Sequence, residues 1–483
     1  MCIELADNPY DFSGLETGHD ISCPHAHQVK ENMGNQGKIV LRPNSTRKPR
    51  LPMLTLAQLQ ESLQELLRVT ARQAGRESGF IQRERKLNGE SFVSALVWGW
   101  MANPEATLSE LSQSAALCGV NISPQGLDQR MTPAAAECLR QVLEASLVLV
   151  ASGGEGSATF LQQFNGVYLL DSTTVVVPEA WEPVWSGGGN QHRRWAALKL
   201  QTLWDYGGGR LHFSLHPARR SDVALPVASL PPGAVRVTDS GYFEVNSLQQ
   251  LHAQGSFYLT RVPCKVRLFD DQGRKWRLSQ FLQQQTAPQF DGEVTLTAHG
   301  LRCRLLAQRV PESVAAQRQA RLRQTARRKR DPLSQEALAL AHWTIVVTNL
   351  PPNRLTFDHA FMLLRLRWQI ELLFKLWKQH THLESSRSQQ PDRMMCELYA
   401  KLLGLVIQHA LLLATCWDVP NHSLVKLAQT VRKSAFLLAV ALWTEPSQFD
   451  ALLMALRFAL RSGCRLDTRK AQPSHFQRLL SLS

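Results

Sequence analysis

Cysteine is scarce and patternless here: nine residues in 483, an odd number, with no C-x-x-C pair. That excludes a disulfide framework and a zinc ribbon. Long apolar runs are missing too. The longest, Leu402 to Trp417, is interrupted by Gln408 and His409 and falls short of the ~20 residues that span a bilayer. The first 25 residues are mixed and acidic without an apolar core, so no signal peptide is predicted and the chain reads as cytoplasmic. The triple glycine Gly187–Gly189 lacks the following Lys and Ser/Thr of a phosphate-binding P-loop and is predicted to be a mobile loop. Acids are the scarcer charge: 40 Asp and Glu against 54 Lys and Arg, a net +14 with a pI near 9.6. With 44% hydrophobic residues the chain can bury real cores, so it is not a basic tail. Polyphosphate partners are the first suspects.

Residues 1–53 are polar and without sustained period, and read as disordered. Cys23, His25 and His27 in CPHAH have no second ligand cluster nearby and read as plain surface. Order begins at Thr55, where Thr55 and Gln58 have the spacing of a capping box before a stripe of leucines. Helices are predicted over Glu90–Ala102, Thr107–Leu117, Ser123–Met131 and Ala134–Ala151, making 54–155 an all-α N-terminal domain. Within it, TLSELSQSAALCGVNISPQGLDQRM reads as helix, glycine turn and a helix capped by Ser123. Two readings are open: a helix-turn-helix reading DNA through Gln125, Gln129 and Arg130, or an ordinary αα-corner.

From Asn165 the period shortens. Strands are predicted at Gly166–Asp171, Ala197–Tyr206, Arg210–His216, Val235–Asp239 and Ser256–Val262, with a helix at Val245–Gln254. That alternation predicts an α/β fold with a mixed sheet. β-like pieces fill 263–305. The run from Arg318 to Arg330, including Arg327 and Arg328, places seven cations in 13 positions. It reads either as a track for the DNA backbone or as a solvated helix in the insertion, and because that is more charge than solubility requires, DNA contact is the expectation. After a strand at Trp343–Thr348 the pattern is helical almost to the end, including 386–483.

Two acids are placed where strands are predicted to end, Asp171 in VYLLDSTT and Asp239 in VRVTDSGYF. One such residue is weak, because Asp often caps a strand. A third, Glu371, lies in FMLLRLRWQIELLFKLWKQH. Leu364, Arg367, Lys375 and Lys378 fall within about 40° of it on a helical wheel. Ile370, Leu372, Leu373, Phe374, Leu376 and Trp377 make the other faces apolar. The charged stripe is therefore predicted to face a polar cavity.

Asp171, Asp239 and R-WQI-E-LLFKLW-K together resemble the bacterial insertion-sequence transposases with a DDE triad and a YREK signature. Arg367, Glu371 and Lys378 match that signature in type and spacing; Leu364 replaces its Tyr. AALKLQTLWDY, FYLTRV, WTIVVTNLP and CELYAKLLGLVIQH are similar to the family as well. The resemblance implies a ribonuclease-H-like catalytic domain over 160–385, with a β-rich insertion at 263–355 and all-α regions on both sides. It implies catalysis by Asp171, Asp239 and Glu371 holding two Mg²⁺ ions, with Mn²⁺ able to substitute. Arg367, Lys378 and Lys375 would clamp phosphates, and Trp343 would stack on a flipped base or be an ordinary buried strand residue. The implied activity is cut-and-paste transposition by a homodimer, at the nucleoid. It would bind double-stranded DNA at terminal inverted repeats, cleave, and join the ends to target DNA. The competing readings are a DDE nuclease without strand transfer and a non-catalytic DNA-binding relic.

Overall fold

A computed structural model describes residues 55–465 apart from 84–86, 152–158, 190–193, 271, 297–299, 418–422 and 444–445. The segment 1–53, with Cys23, His25 and His27, lies outside the described residues.

The strands are β1 (Val167–Val177), β2 (Ser186–Gly189), β3 (Arg194–Asp205), β4 (Leu211–Pro217), β5 (Val235–Thr238) and β6 (Phe257–Arg261), then β7 (Arg267–Phe269), β8 (Lys275–Arg277), β9 (Gln289–Thr295), β10 (Arg302–Arg309) and β11 (Trp343–Thr348). All eleven join one mixed sheet. Its centre runs β4-β3-β1-β5-β6, with β1, β5 and β6 parallel and β3 and β4 antiparallel. This is the ribonuclease-H-like arrangement expected from the sequence. The insertion does not form a sheet of its own. β11 pairs with β6 on one side and β10 on the other, and so carries β10, β9, β7 and β8 onto the central sheet.

Gly187–Gly189 belongs to edge strand β2 and is not a loop over the site. A side chain on Gly187 would press on the Trp195 carbonyl oxygen of β3, so glycine lets the two strands approach. The helix expected at Ser123–Met131 is shorter as well. Ser123 caps it and Pro124 opens it, but it spans only Pro124–Asp128. Gln129 and Arg130 lie just past its end, exposed. One and a half turns offer little surface to a DNA groove. The helix predicted over Ala134–Ala151 breaks at Leu147, giving Pro133–Ser146 and Val148–Ala151.

The helices before and after the sheet share one core. Their axis is Pro391–Thr415, a 25-residue helix long and apolar enough by composition to cross a membrane. It is instead almost wholly buried among helices Gly89–Ala102 and Pro133–Ser146 and their neighbours. This helix also anchors the sheet: Tyr399 Oη accepts from Trp185 Nε1 at 3.2 Å, and His409 Nε2 meets the Gly209 carbonyl at 2.8 Å in the β3–β4 turn. Gly209 has φ +75° and packs directly against Leu413 and Trp417, so only a residue without Cβ fits.

Arg304 on β10 ties the insertion to the segment leading to the Glu371 helix. It is buried, pairs with Asp291 through both oxygens at 2.5 and 2.6 Å, and donates to the Leu355 carbonyl at 2.6 Å. Arg304→Ala strands an acid and a carbonyl, and should lower stability by about 2–4 kcal/mol. Urea unfolding of the purified chain checks this; an unchanged midpoint would contradict it.

Candidate active site

Parallel pairing of β1 with β5 ends at Leu169–Val237. Asp171 and Asp239 each lie two residues further on, so both project where the two strands part. Asp239 directly follows β5 and caps the turn Ser240–Tyr242, its Oδ1 accepting the Gly241 N–H at 2.8 Å. Asp171 differs from the expectation, because β1 does not end there. The β-branched stretch Thr173–Val177 continues the strand against β3. Asp171 therefore sits in mid-strand, on rigid backbone, at the point where its parallel neighbour has gone. Its Oδ1 accepts the Ser172 N–H at 2.8 Å.

The third acid comes from a helical segment predicted as continuous but jointed at Arg367, between Phe357–Leu366 and Trp368–Thr381. The joint keeps right-handed helical angles and aims Arg367 at the sheet. Its Nη1 donates to Asp171 Oδ2 at 3.3 Å, and its Nη2 pairs with Glu371 Oε1. Lys378 points the same way, with Nζ donating to the Thr174 carbonyl of β1 at 2.8 Å and to Glu384 at 2.5 Å. The charged stripe thus faces β1, and Ile370, Leu373, Phe374 and Trp377 are buried behind it. Leu372 is a correction: it is 41% exposed. Lys375 is exposed at the stripe's edge.

Burial, together with the negative charges of Asp239 and Glu371, pushes the Asp171 carboxyl up to about 6, against the opposing pull of the Ser172 N–H and Arg367.

Beside the acids lies a cavity of about 420 Å³ whose lining includes Arg261, Arg309, Arg318, Arg365 and Arg367 and no carboxylate. Leu364, the departure from the family signature, lines it too. Arg261 was missed in the sequence reading. It ends β6, the third parallel strand, so it emerges at the same sheet edge as the two aspartates. Burial and the neighbouring Arg318 and Arg367 hold its guanidinium below its usual value, whereas Asp239 supports it. Arg318 opens the basic run, which lies on the helix Glu312–Lys329, and donates to the Trp343 carbonyl at 2.9 Å. Arg327 and Arg328 are exposed further along it. Trp343 is 7% exposed, with the Arg309 guanidinium 4.9 Å from its ring centre. It packs into the insertion core.

Oxygen-only donors suit a hard divalent cation, and the raised Asp171 carboxyl marks a place that would welcome positive charge. At present Arg367 fills the gap between Asp171 and Glu371. Among the described residues no three acids stand close enough to ligate one ion. Chemically the set fits a cation; geometrically it needs Arg367 to yield.

The class is that of ribonuclease-H-like proteins with acids where the parallel strands part, here flanked by an arginine cleft. Residues 162–407, more than half of the chain, match the Transposase DDE domain family, and the chain belongs to it as an insertion-sequence DDE transposase. It is similar to the transposase for insertion sequence element IS231F of Bacillus thuringiensis subsp. israelensis, 26% identical over 72% of this chain and 79% of that one. The transposase for IS231C of B. thuringiensis subsp. berliner is 26% identical over 69% and 74%. That for IS1151 of Clostridium perfringens is 22% identical over 69% and 75%. Family membership makes the chain a DNA-processing enzyme that uses divalent metal.

The raised Asp171 carboxyl has a thermodynamic consequence. Its folded value lies above its unfolded one, so the ionised acid destabilises the metal-free fold above about pH 6, and the penalty fades toward pH 4. Asp171→Asn should therefore raise the melting midpoint in EDTA at pH 7.5, by an equivalent of about 1–3 kcal/mol. The gain should vanish near pH 4. A lower midpoint at pH 7.5 would contradict this reading.

Proposed function

We propose that this chain catalyses cut-and-paste transposition: it binds the inverted repeats at its element's ends, cleaves there, and joins the freed 3′-ends to target DNA. The observation that carries the reading is the linkage Asp171–Arg367–Glu371 beside Asp239, at one edge of a ribonuclease-H-like sheet. Asp171, Asp239 and Glu371 would hold divalent cations, Mg²⁺ or Mn²⁺. When bound, these supply Lewis-acid stabilisation of the phosphoryl oxygens and lower the pKa of the attacking water or 3′-hydroxyl.

The chain's own groups do the positioning. Arg367 would clamp the scissile phosphate with its guanidinium when the acids hold cations. Arg261, Arg309 and Arg318 line a cleft in which one DNA strand lies against positive charge, and Lys375, Arg327 and Arg328 extend that track. Lys378, held by Thr174 and Glu384, sets the helix on β1 and contacts a flanking phosphate. Gln129 and Arg130, exposed after the short capped helix, reach the outer end of the repeat. Trp343 lies under Arg309, so base stacking there requires Arg309 to move. Exposed apolar residues of the last helices, Leu437, Met454 and Phe458 at 62, 56 and 76%, supply a surface for a homodimeric synaptic complex. Acting on chromosomal DNA, the protein would work in the cytoplasm at the nucleoid.

Single alanine substitutions of Asp171, Asp239 or Glu371 should each abolish Mg²⁺-dependent cleavage of end-bearing duplex and leave DNA binding near wild type. Ca²⁺ should support binding without chemistry. Cleavage within tenfold of wild type in any one variant would remove that acid from the assignment. Recovery of element ends joined to a target plasmid separates transposition from mere hydrolysis.

Arg261→Ala and Arg318→Ala should each weaken end binding and reduce the slope of log K against log salt by about one. An unaltered slope would place the DNA elsewhere.

A further inference from the structure

Lys199 lies on β3 directly opposite Thr174 of β1, and is 7% exposed. A buried ammonium needs a partner. Its Nζ donates to Asp222 Oδ1 at 2.9 Å and to the Arg220 carbonyl at 2.5 Å. The same Asp222 oxygen accepts the Ser172 hydroxyl at 2.8 Å. Ser172 in turn gives its backbone N–H to Asp171. Asp222 opens a short turn after β4 and comes from a stretch well separated in sequence from all three acids. It also borders the other aspartate. A Cβ on Gly241 would stand 3.1 Å from Asp239 Oδ1 and 3.8 Å from Asp222 Oδ2.

The other polar groups around Lys199 compete little. His216 faces it across β3–β4 and is kept neutral by burial and by the charges of Arg220 and Lys199. Tyr242 Oη lies close enough to Ser172 for the two side chains to influence each other. The Ser172 hydroxyl is held by Asp222, whose own place is fixed by a buried lysine.

We propose that Lys199 and Asp222 form a positioning device for Asp171, holding the Ser172 hydroxyl so that its peptide N–H orients the Asp171 carboxylate for cation binding. This rests on the reading of Asp171 as a cation-binding acid given above. Ser172 carries the contact at a place where β1 still pairs with β3 but no longer with β5. β1 has just lost its parallel neighbour at that point, and the pair takes over as its lateral support. Groups that orient metal-binding side chains without touching the metal typically change affinity by about 10- to 100-fold when removed.

The test is Mn²⁺ binding to the full chain without DNA, read from the free-ion electron paramagnetic resonance signal. Melting midpoints and end-DNA affinity are measured alongside. Ser172→Ala, which cuts the chain of contacts and leaves the Lys199–Asp222 pair intact, should weaken Mn²⁺ about tenfold or more, with midpoint and DNA affinity near wild type. Ser172→Thr, which keeps the hydroxyl, should restore binding. Lys199→Met should weaken Mn²⁺ similarly while also lowering the midpoint; if it does not fold, the serine pair still decides. Wild-type Mn²⁺ affinity in Ser172→Ala, with Asp171→Ala unable to bind, would overturn the positioning role alone. Wild-type affinity in Asp171→Ala would overturn the reading of the acids themselves, and this inference with it.

Discussion

Like charges gathered at one sheet edge repel unless something positive stands between them, and here that something is a single guanidinium. Arg367 reaches Asp171 on β1 with one nitrogen and Glu371 in its own helix with the other. The helical joint at Arg367, the crossing of the Glu371 helix over β1, and the Lys378 contact to the Thr174 carbonyl all serve that placement. Burial outweighs the help of Arg367, and with the charges of Asp239 and Glu371 it makes Asp171 hold its proton more tightly than a free carboxylate. A site left short of positive charge is unfavourable for the fold and suited to a cation.

The surplus of 54 bases over 40 acids is laid out around that edge with some order. Buried arginines are structural: Arg304 clasps Asp291 and the Leu355 carbonyl. The arginines of the cleft have no acid among them, and those of the basic helix are exposed. A polyanion entering the cleft would meet the guanidinium groups of Arg261, Arg309 and Arg318 before the carboxylates that Arg367 holds. The long apolar helix Pro391–Thr415 makes this possible by fixing the β3–β4 turn and the segment before β2 from behind.

Much of this was legible in the residues, for identifiable reasons. Trp343–Thr348 appears as predicted because a run of β-branched residues bounded by a turn admits little else. The Thr55 and Gln58 capping box forms as its spacing demands. Glu371 and Arg367 were found because helical periodicity is local. What escaped depends on partners distant in the chain. Asp171 in mid-strand is a consequence of β3 continuing where β5 stops, and Leu372 is exposed because, among the described residues, nothing covers that side of its helix. Lys199, Asp222 and Arg261 carry no local signal that distinguishes them from other polar residues near strands; only the sheet order brings them to the acids. The five-residue helix after Ser123 shows the reverse limit: correct start signals do not set where a helix stops.

The central claim is that Arg367 keeps the acids together until a cation takes its place. Crystals of the chain soaked in Mn²⁺ test it directly through anomalous scattering. The account predicts an anomalous peak in contact with Asp171 and at least one of Asp239 and Glu371, with the Arg367 guanidinium turned away from both of its present partners. A peak elsewhere, or Mn²⁺ bound at the acids with Arg367 unmoved, would contradict it.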